Sequence, residues 1–371
     1  MDETPDARQP RRRGGWIAKV LLTVVGAALA YLIFRFMATN FGGFEQGVKA
    51  AFSMPTVWTA AAIAAGVFAL AVYPLTAPAA IPGLHYGAAF VDRQGGFAIS
   101  TTIPFGGGAI AVGTQYSILA RYGVAQKRAA AAVAADAIWT YLMTFGAPGI
   151  ALTLLWIFER RAATGDSCGE LSCEAIDIIV IIAGLVCLVS IVAIAFVLRS
   201  RTNAQRVGNL AQGLLGRVFR FIKRTPPDAV AAVVGFNDTA AEMVRTRWRP
   251  ITLTNILAQL SPILVVIAAL NGVGATQVSF LEVFVAFSVA LLLTTVPLAP
   301  GGAGTVDAAL IGMLVAFGAE YDQAVAADII WRAFSYLPQM VLGWLAVGYF
   351  AIRQRLARSR EPDSAQRRPV R

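Results

Sequence analysis

The sequence predicts an all-α polytopic membrane protein of about 8–10 membrane segments. Two of its helix pairs are Gly/Pro-broken and re-entrant-like, and the whole is arranged as an inverted-topology repeat. Three observations predict this. Apolar residues come in long uncharged blocks, basic residues collect in particular loops, and one odd phrase is written twice. The phrase is TTIPFGGG at Thr101–Gly108 and TTVPLAPGG at Thr294–Gly302.

The blocks come first. The chain has 371 residues, 57% hydrophobic and 14% charged, against roughly 25% charge in a soluble domain. Residues 178–198 carry no charge for 21 positions, enough to cross a hydrocarbon core of about 30 Å. Apolar segments lie at 16–38, 56–80, 82–104, 110–126, 129–158, 175–198, 250–270, 275–297, 303–319 and 324–350. Segments 82–104 and 110–126 are weak: His85, Asp92 and Arg93 interrupt the first, and both flank the GGG. This pair reads as entering the membrane partway and returning. The first segment follows Arg11, Arg12 and Arg13 as a signal peptide would, but runs past the cleavage-like Ala28-Leu29-Ala30, so a retained helix is expected.

Charge orients the blocks, because cytoplasmic loops collect Lys and Arg. Residues 199–249 hold ten basic and three acidic residues, and seven arginines follow Phe350. With the four arginines near the N-terminus, these place both termini and the linker in the cytoplasm of a bacterial inner-membrane protein. The loop 159–174 is rich in Glu and Asp and suits the outside. The net charge of +10 then reflects topology and anionic lipid, not nucleic acid. Within the linker, Leu210, Leu214, Val218, Phe221 and Ile222 line one side of a stretch otherwise rich in Arg and Lys. It suits a helix lying in the interface or an ordinary cytoplasmic linker helix. Cys168 and Cys173 share one loop and are either a local disulfide or two free thiols.

The doubled phrase belongs to a longer repeat. AADAIWTYL at Ala134–Leu142 matches AADIIWRAF at Ala326–Phe334. Pro104 and Pro297 are 193 apart, while Asp136 and Asp328, like Trp139 and Trp331, are 192 apart. The helix with Asp136 starts beside Lys127 and Arg128, inside; that with Asp328 starts beside Glu320 and Asp322, outside. The copies therefore run in opposite senses. The expected organisation is a basic tail at 1–15, one transmembrane domain at 16–350 and a second basic tail at 351–371. Inside the domain, repeat 1 covers about 56–158 and repeat 2 about 250–350, joined by a helix at 175–198 and the linker 199–249.

In each copy a helix stops at proline, turns through glycines and restarts. The restart presents free N–H groups and a partial positive charge, a seat for an anion. Gly106, Gly107 and Gly108 form one such seat; Gly301, Gly302 and Gly304 form the other, with Thr305 as candidate cap. Ionisable residues inside spans are candidate functional residues. Arg332 sits four residues after Asp328, so the two can pair, and Arg332 is the candidate for a lipid phosphate. Asp136 faces no arginine at its equivalent position, which is Thr140. An unpaired carboxyl there is suited to carrying protons. Asp307, in the first turn after PGG, either stabilises the helix start or repels an anion. The lone His85 cannot build a metal site, and no Ser/His/Asp set, CxxC or nucleotide loop is written. No catalytic constellation, cofactor or metal is therefore expected.

The run Pro300-Gly301-Gly302-Ala303-Gly304-Thr305-Val306-Asp307, followed by Arg332 and Pro338, resembles the lysylphosphatidylglycerol synthase transmembrane-region family. That family includes the flippase portion of the multiple peptide resistance factor proteins. The resemblance covers 16–350 and implies a lipid-translocating protein whose partner is a membrane lipid with an anionic headgroup. Two departures stand out: the acid is usually Glu, here Asp307, and relatives often carry Gly-acid where this chain has Gly113-Thr114-Gln115. No soluble aminoacyl-transfer domain accompanies the motif, so a stand-alone member that makes no aminoacylated lipid itself is expected. A transferase acting on a lipid-linked sugar and a non-catalytic assembly partner are the alternatives.

Overall fold

The computed structural model describes residues 44–103, 107–159, 200–221, 228–295 and 300–358, with scattered positions between 189 and 199. The segment 16–38, most of 175–198, both cysteines of the 159–174 loop and the two tails lie outside the described residues. All regular structure among the described residues is helical.

The first half opens with α1 (Phe44–Phe52) and α2 (Thr56–Val72). A 3-10 turn at Tyr73–Leu75, set by Pro74, then carries the chain into α3 (Thr76–Ala80). A hairpin of α4 (Tyr86–Thr102) and α5 (Gly107–Arg121) follows, then the long α6 (Gln126–Glu159). After α7 (Arg201–Phe221), the second half repeats this order. A broken span, α8 (Ala229–Leu260) plus α9 (Ile263–Gly272), is interrupted at Pro262. A hairpin, α10 (Phe280–Leu293) and α11 (Thr305–Ala316), comes next. The half closes on α12 (Tyr321–Trp331), a π turn at Arg332–Tyr336, and α13 (Leu337–Arg358).

Among the described residues, four stretches are long and apolar enough to cross a membrane: Thr56–Ala80, Gln126–Phe158, Met243–Gly272 and Tyr321–Arg353. They are the broken span and the closing helix of each half. The hairpin helices have 17, 15, 14 and 12 residues. At 1.5 Å per residue the longest reaches only about 25 Å, short of a bilayer core of about 30 Å.

The halves pack by exchange. The first hairpin lays α4 along α13 of the second half, and the second lays α10 along α6 of the first, while α2 packs on α9. Glycines set the closest approaches. A Cβ on Gly343 would sit 2.1 Å from the Gln94 carbonyl of α4, and one on Gly95 would sit 2.8 Å from Val347 of α13. Likewise a Cβ on Gly66 would sit 2.1 Å from the Phe334 carbonyl. That carbonyl lies four residues before Pro338, which has no N–H to give it, so the helix widens into the π turn there.

One boundary is corrected. The segment at 250–270 is preceded by twenty-one helical residues, since α8 starts at Ala229 and runs through Pro250. The linker helix is one arm of a hairpin with α8. Gly208 touches Val230, the Gln212 side-chain amide oxygen accepts from the Ala229 N–H at 2.7 Å, and Arg201 pairs with Asp238 at 3.2 Å. Leu210 is exposed.

Candidate functional site

The second break is built by glycines in the left-handed region. Helix α10 closes at Thr294 and Thr295, whose hydroxyls donate to the carbonyls of Leu291 (2.6 Å) and Leu292 (2.7 Å). Pro300–Gly302 makes one 3-10 turn, with φ of 62° at Gly301, 67° at Gly302 and 86° at Gly304. These angles favour glycine. At Gly301 space demands it too, because a Cβ would lie 1.5 Å from the Tyr336 hydroxyl.

Helix α11 then starts, but Thr305 is not its cap. Thr305 occupies the first helical position and its hydroxyl donates to the Gly302 carbonyl at 3.2 Å. The cap residue is Gly304, whose N–H donates to Asp307 at 2.6 Å. Asp307 succeeds because the third helical position lets a carboxylate reach back to a backbone donor that glycine cannot satisfy itself. The same carboxylate accepts from Arg332 Nε at 2.7 Å, with Nη2 at 2.5 Å.

Arg332 therefore pairs with Asp307 across two helices, not with Asp328 on its own helix. The reason is acceptor supply. Toward the break the guanidinium fork meets Asp307 and also the Gly301 carbonyl, 3.3 Å from Nη1. It is further held by the rings of Trp331 (4.8 Å) and Tyr336 (4.6 Å). Asp328 is 6% exposed and one of its carboxylate oxygens has no hydrogen-bond partner among the described residues.

The first break differs. Gly106, with Pro104 and Phe105, lies outside the described residues. A Cβ on Gly107 would come within 2.9 Å of the Ser100 and Ile99 carbonyls, so the start of α5 rests on the end of α4. Gly108 meets open space, and the first turn of α5 carries no acidic side chain. The α11 start is thus answered by a carboxylate, whereas the first turn of α5 offers none among the described residues.

Asp136 is not unpaired. Arg93 of α4 reaches it at 2.6 Å and lies 5.0 Å from the Tyr73 ring centroid. Asp92, 2% exposed, sits beside them with one oxygen unpartnered among the described residues. In the sequence Asp92 and Arg93 signal only a weak apolar segment. Their role as partners of Asp136 becomes visible when α4 and α6 are brought together. Each half therefore holds a cluster of one arginine and two aspartates with aromatic rings, Tyr73 in the first and Trp331 and Tyr336 in the second.

Between the halves lies a cavity of about 480 Å³. Of the residues singled out by sequence, Gly107, Gly108, Gly301 and Arg332 line it. Gly302, Gly304, Thr305, Asp307, Asp328 and Asp136 do not line it. Sequence reasoning missed the rest of the lining, which is mostly apolar, with hydroxyls and amides from Thr144 of α6, Gln259 of α8, Gln339 of α13 and the ends of α4 and α10 among it. Among the described residues no three His, Cys, Asp or Glu side chains gather as a metal site.

The family model described as "Lysylphosphatidylglycerol synthase TM region" matches residues 16–343 of this chain of 371. A comparison with curated proteins finds no match.

Proposed function

The chain belongs to the lysylphosphatidylglycerol synthase TM region family and is an integral membrane protein, and from that premise we propose that it moves a phospholipid between membrane leaflets. The cavity carries this reading. It lies between two halves of repeated element order, and both glycine breaks open onto it. A pocket at the meeting of two broken hairpins is where a charged headgroup crosses while its tails stay in lipid.

The proposed seat of the phosphate is the open start of α5 at Gly107 and Gly108, facing Arg332. The α11 start is less available, because Asp307 already takes its Gly304 N–H. Arg332 is held in place by Asp307 and the two rings, so its charge is pre-positioned rather than free to collapse onto the turn. The short hairpins suit re-entrant segments, and the repeated order suits an inverted pair of halves with cytoplasmic termini in a bacterial inner membrane. The buried excess of carboxylate in both clusters, Asp92 with Asp136 and Asp307 with Asp328, supports coupling to protons.

The test is translocation in proteoliposomes containing fluorescent phospholipid, with a membrane-impermeant quencher added outside. Quenching beyond the outer-leaflet fraction is expected, and acceleration by a proton gradient in the presence of Asp328 but not of Asp328→Asn. Quenching that stops at the outer-leaflet fraction for every phospholipid, with folded protein and with either gradient polarity, rules the proposal out.

A further inference from the structure

A second cavity, of about 240 Å³, lies at the foot of the first hairpin, at the opposite ends of α4 and α5 from the central one. Two turns enclose it, 81–85 between α3 and α4 and 122–125 between α5 and α6. Each passes through a glycine in the left-handed region, Gly83 at φ 82° and Gly123 at φ 79°. Three side chains of the lining bring hydrogen-bond donors, His85, Tyr122 and Arg128, and no carboxylate lines it. His85 Nδ1 accepts from the Gly87 N–H at 3.1 Å, which leaves the proton of the neutral ring on Nε2. The side chains of Tyr122 and Arg128 have no hydrogen-bond or ion-pair partner among the described residues.

The charge here runs against the helices. Both α4 and α6 begin at this cavity, and neither has an acidic residue in its first turn. Helix α6 instead places Lys127 and Arg128 there, where the helix dipole favours acid. The second half shows the alternative. Its corresponding turns, 273–279 before α10 and 317–320 before α12, also pass through left-handed glycines, Gly274 at φ 82° and Gly318 at φ 94°. There the two turns are stitched together: Gln277 donates to the Gly318 carbonyl at 2.9 Å and Gln323 to the Val273 carbonyl at 3.3 Å. Both helices that follow carry acid in their first turns, Glu282 in α10 and Asp322 in α12. The same pair of turns is bridged and acidic in one half, open and basic in the other.

We propose that this open foot is a phosphate-binding site, separate from the central cavity, at the membrane face where Arg121, Lys127 and Arg128 gather. A phosphate group is all acceptor. It takes the free donors of His85, Tyr122 and Arg128, and its charge offsets the cations at the α6 start. The guanidinium supplies the charge, while the imidazole and the phenol fix orientation. Bound there, the phosphate bridges His85, the cap of α4, to Arg128 in the first turn of α6. It thereby does for the first half what Gln277 and Gln323 do for the second. The phosphate of an anionic lipid and a soluble phosphate present the same oxygens, and the experiment separates them. The site stands whether or not the protein moves lipid.

The test is protection of a thiol placed on the rim. In the full chain with Cys168, Cys173 and Cys187 replaced by Ser, Pro82→Cys puts a thiol at an exposed position of the lining. The protein is held in dodecyl maltoside and labelled with a water-soluble maleimide. Three additions are compared at equal ionic strength: dioleoylphosphatidylglycerol, dioleoylglycerol, which lacks the phosphate, and inorganic phosphate. Phosphatidylglycerol or inorganic phosphate is expected to slow labelling several-fold at saturation, and dioleoylglycerol to leave it unchanged. Slowing by the phospholipid alone assigns a lipid site, by inorganic phosphate alone a soluble ligand, and by both a site that reads the phosphate itself. Arg128→Gln is expected to raise the concentration needed on the order of 10-fold, the worth of one hydrogen bond to a charged group. Tyr122→Phe, which removes one hydroxyl, raises it a few-fold and decides the matter if Arg128→Gln does not fold. Thr276→Cys, on the corresponding turn of the second half, is expected to label at one rate throughout. The proposal is overturned by labelling that neither phosphate slows, by equal slowing with dioleoylglycerol or at Thr276→Cys, or by protection that survives both Arg128→Gln and Tyr122→Phe unchanged.

Discussion

Arg332 is held by Asp307 and, in the proposed function, also faces the lipid phosphate; a double-mutant cycle separates the two roles. The perturbation is Arg332→Met, alone and with Asp307→Asn. In the single variant Asp307 keeps its Gly304 N–H but loses a guanidinium that contacted it through two nitrogens. The two side chains are 16% and 19% exposed. Breaking such a pair from one side costs about 3–5 kcal/mol, most of it the penalty of an unanswered buried charge. The double variant removes that charge as well. The neutral amide that replaces the Asp307 carboxylate keeps a carbonyl oxygen to accept from Gly304, so this variant is expected to recover more than half of the loss.

The assay is thermal unfolding in detergent. Unfolding entropy of about 2.1 cal/mol/K per residue gives roughly 0.8 kcal/mol/K for 371 residues. A loss of about 4 kcal/mol then lowers Tm by about 5 °C. A single variant within about 1 °C of the parent, or a double variant no better than the single, refutes the assignment of Asp307 as the partner that matters. Translocation by the double variant then isolates the second job. It is expected to fold and yet fail to move lipid, because the charge facing the α5 start is gone.

Three further outcomes are expected. Gly301→Ala combines a left-handed φ of 62° with a collision against the Tyr336 hydroxyl, so it lowers stability by about 3 kcal/mol in the thermal assay. Gly108→Ala, which meets open space, leaves the same melting curve within about 1 kcal/mol of the parent while slowing translocation. Asp136→Asn removes the carboxylate that pairs with Arg93, 8% exposed, and leaves Asp92 beside it. It lowers stability by about 1–3 kcal/mol in the same measurement.

What was legible in the sequence followed from local chemistry. Uncharged blocks marked the membrane-crossing stretches, because a bilayer imposes length and apolarity residue by residue. The Pro-Gly-Gly-x-Gly-x-x-acid run pointed to the family. Partnerships across helices were not legible. Asp328 and Arg332 are adjacent on a helix by spacing, yet the arginine turns to Asp307, 25 positions earlier. Asp136 finds Arg93 on another helix, α4. No periodicity encodes either choice, since each depends on where a glycine turn or a crossing helix delivers a second acceptor. The packing of the linker was likewise not legible: its small residues Ala204 and Gly208 serve contacts with neighbouring helices, Gly208 directly on α8.

The exchange of helices decides which parts can move. Helix α4 is locked to α13 at both Gly95–Val347 and Gly343–Gln94, where backbone and side chain approach too closely for one helix to slide along the other. A packed contact of this kind has discrete arrangements rather than continuous ones. The α4 hairpin is then expected to travel with α13 as one body, and by the repeat the α10 hairpin with α6 as the other. The cavity, walled by the ends of α4 and α10, is where these bodies face each other. Val91 and Ala346 share one buried cluster with Ile118 inside the first body. A disulfide between Val91→Cys and Ala346→Cys is then expected to leave translocation running. A bifunctional thiol reagent joining Thr101→Cys to Leu291→Cys across the cavity is expected to stop it, with activity restored on cleavage of the reagent. Arrest by the disulfide between positions 91 and 346 in folded protein, reversed by reduction, would instead place the moving boundary between α4 and α13 and break the two-body account.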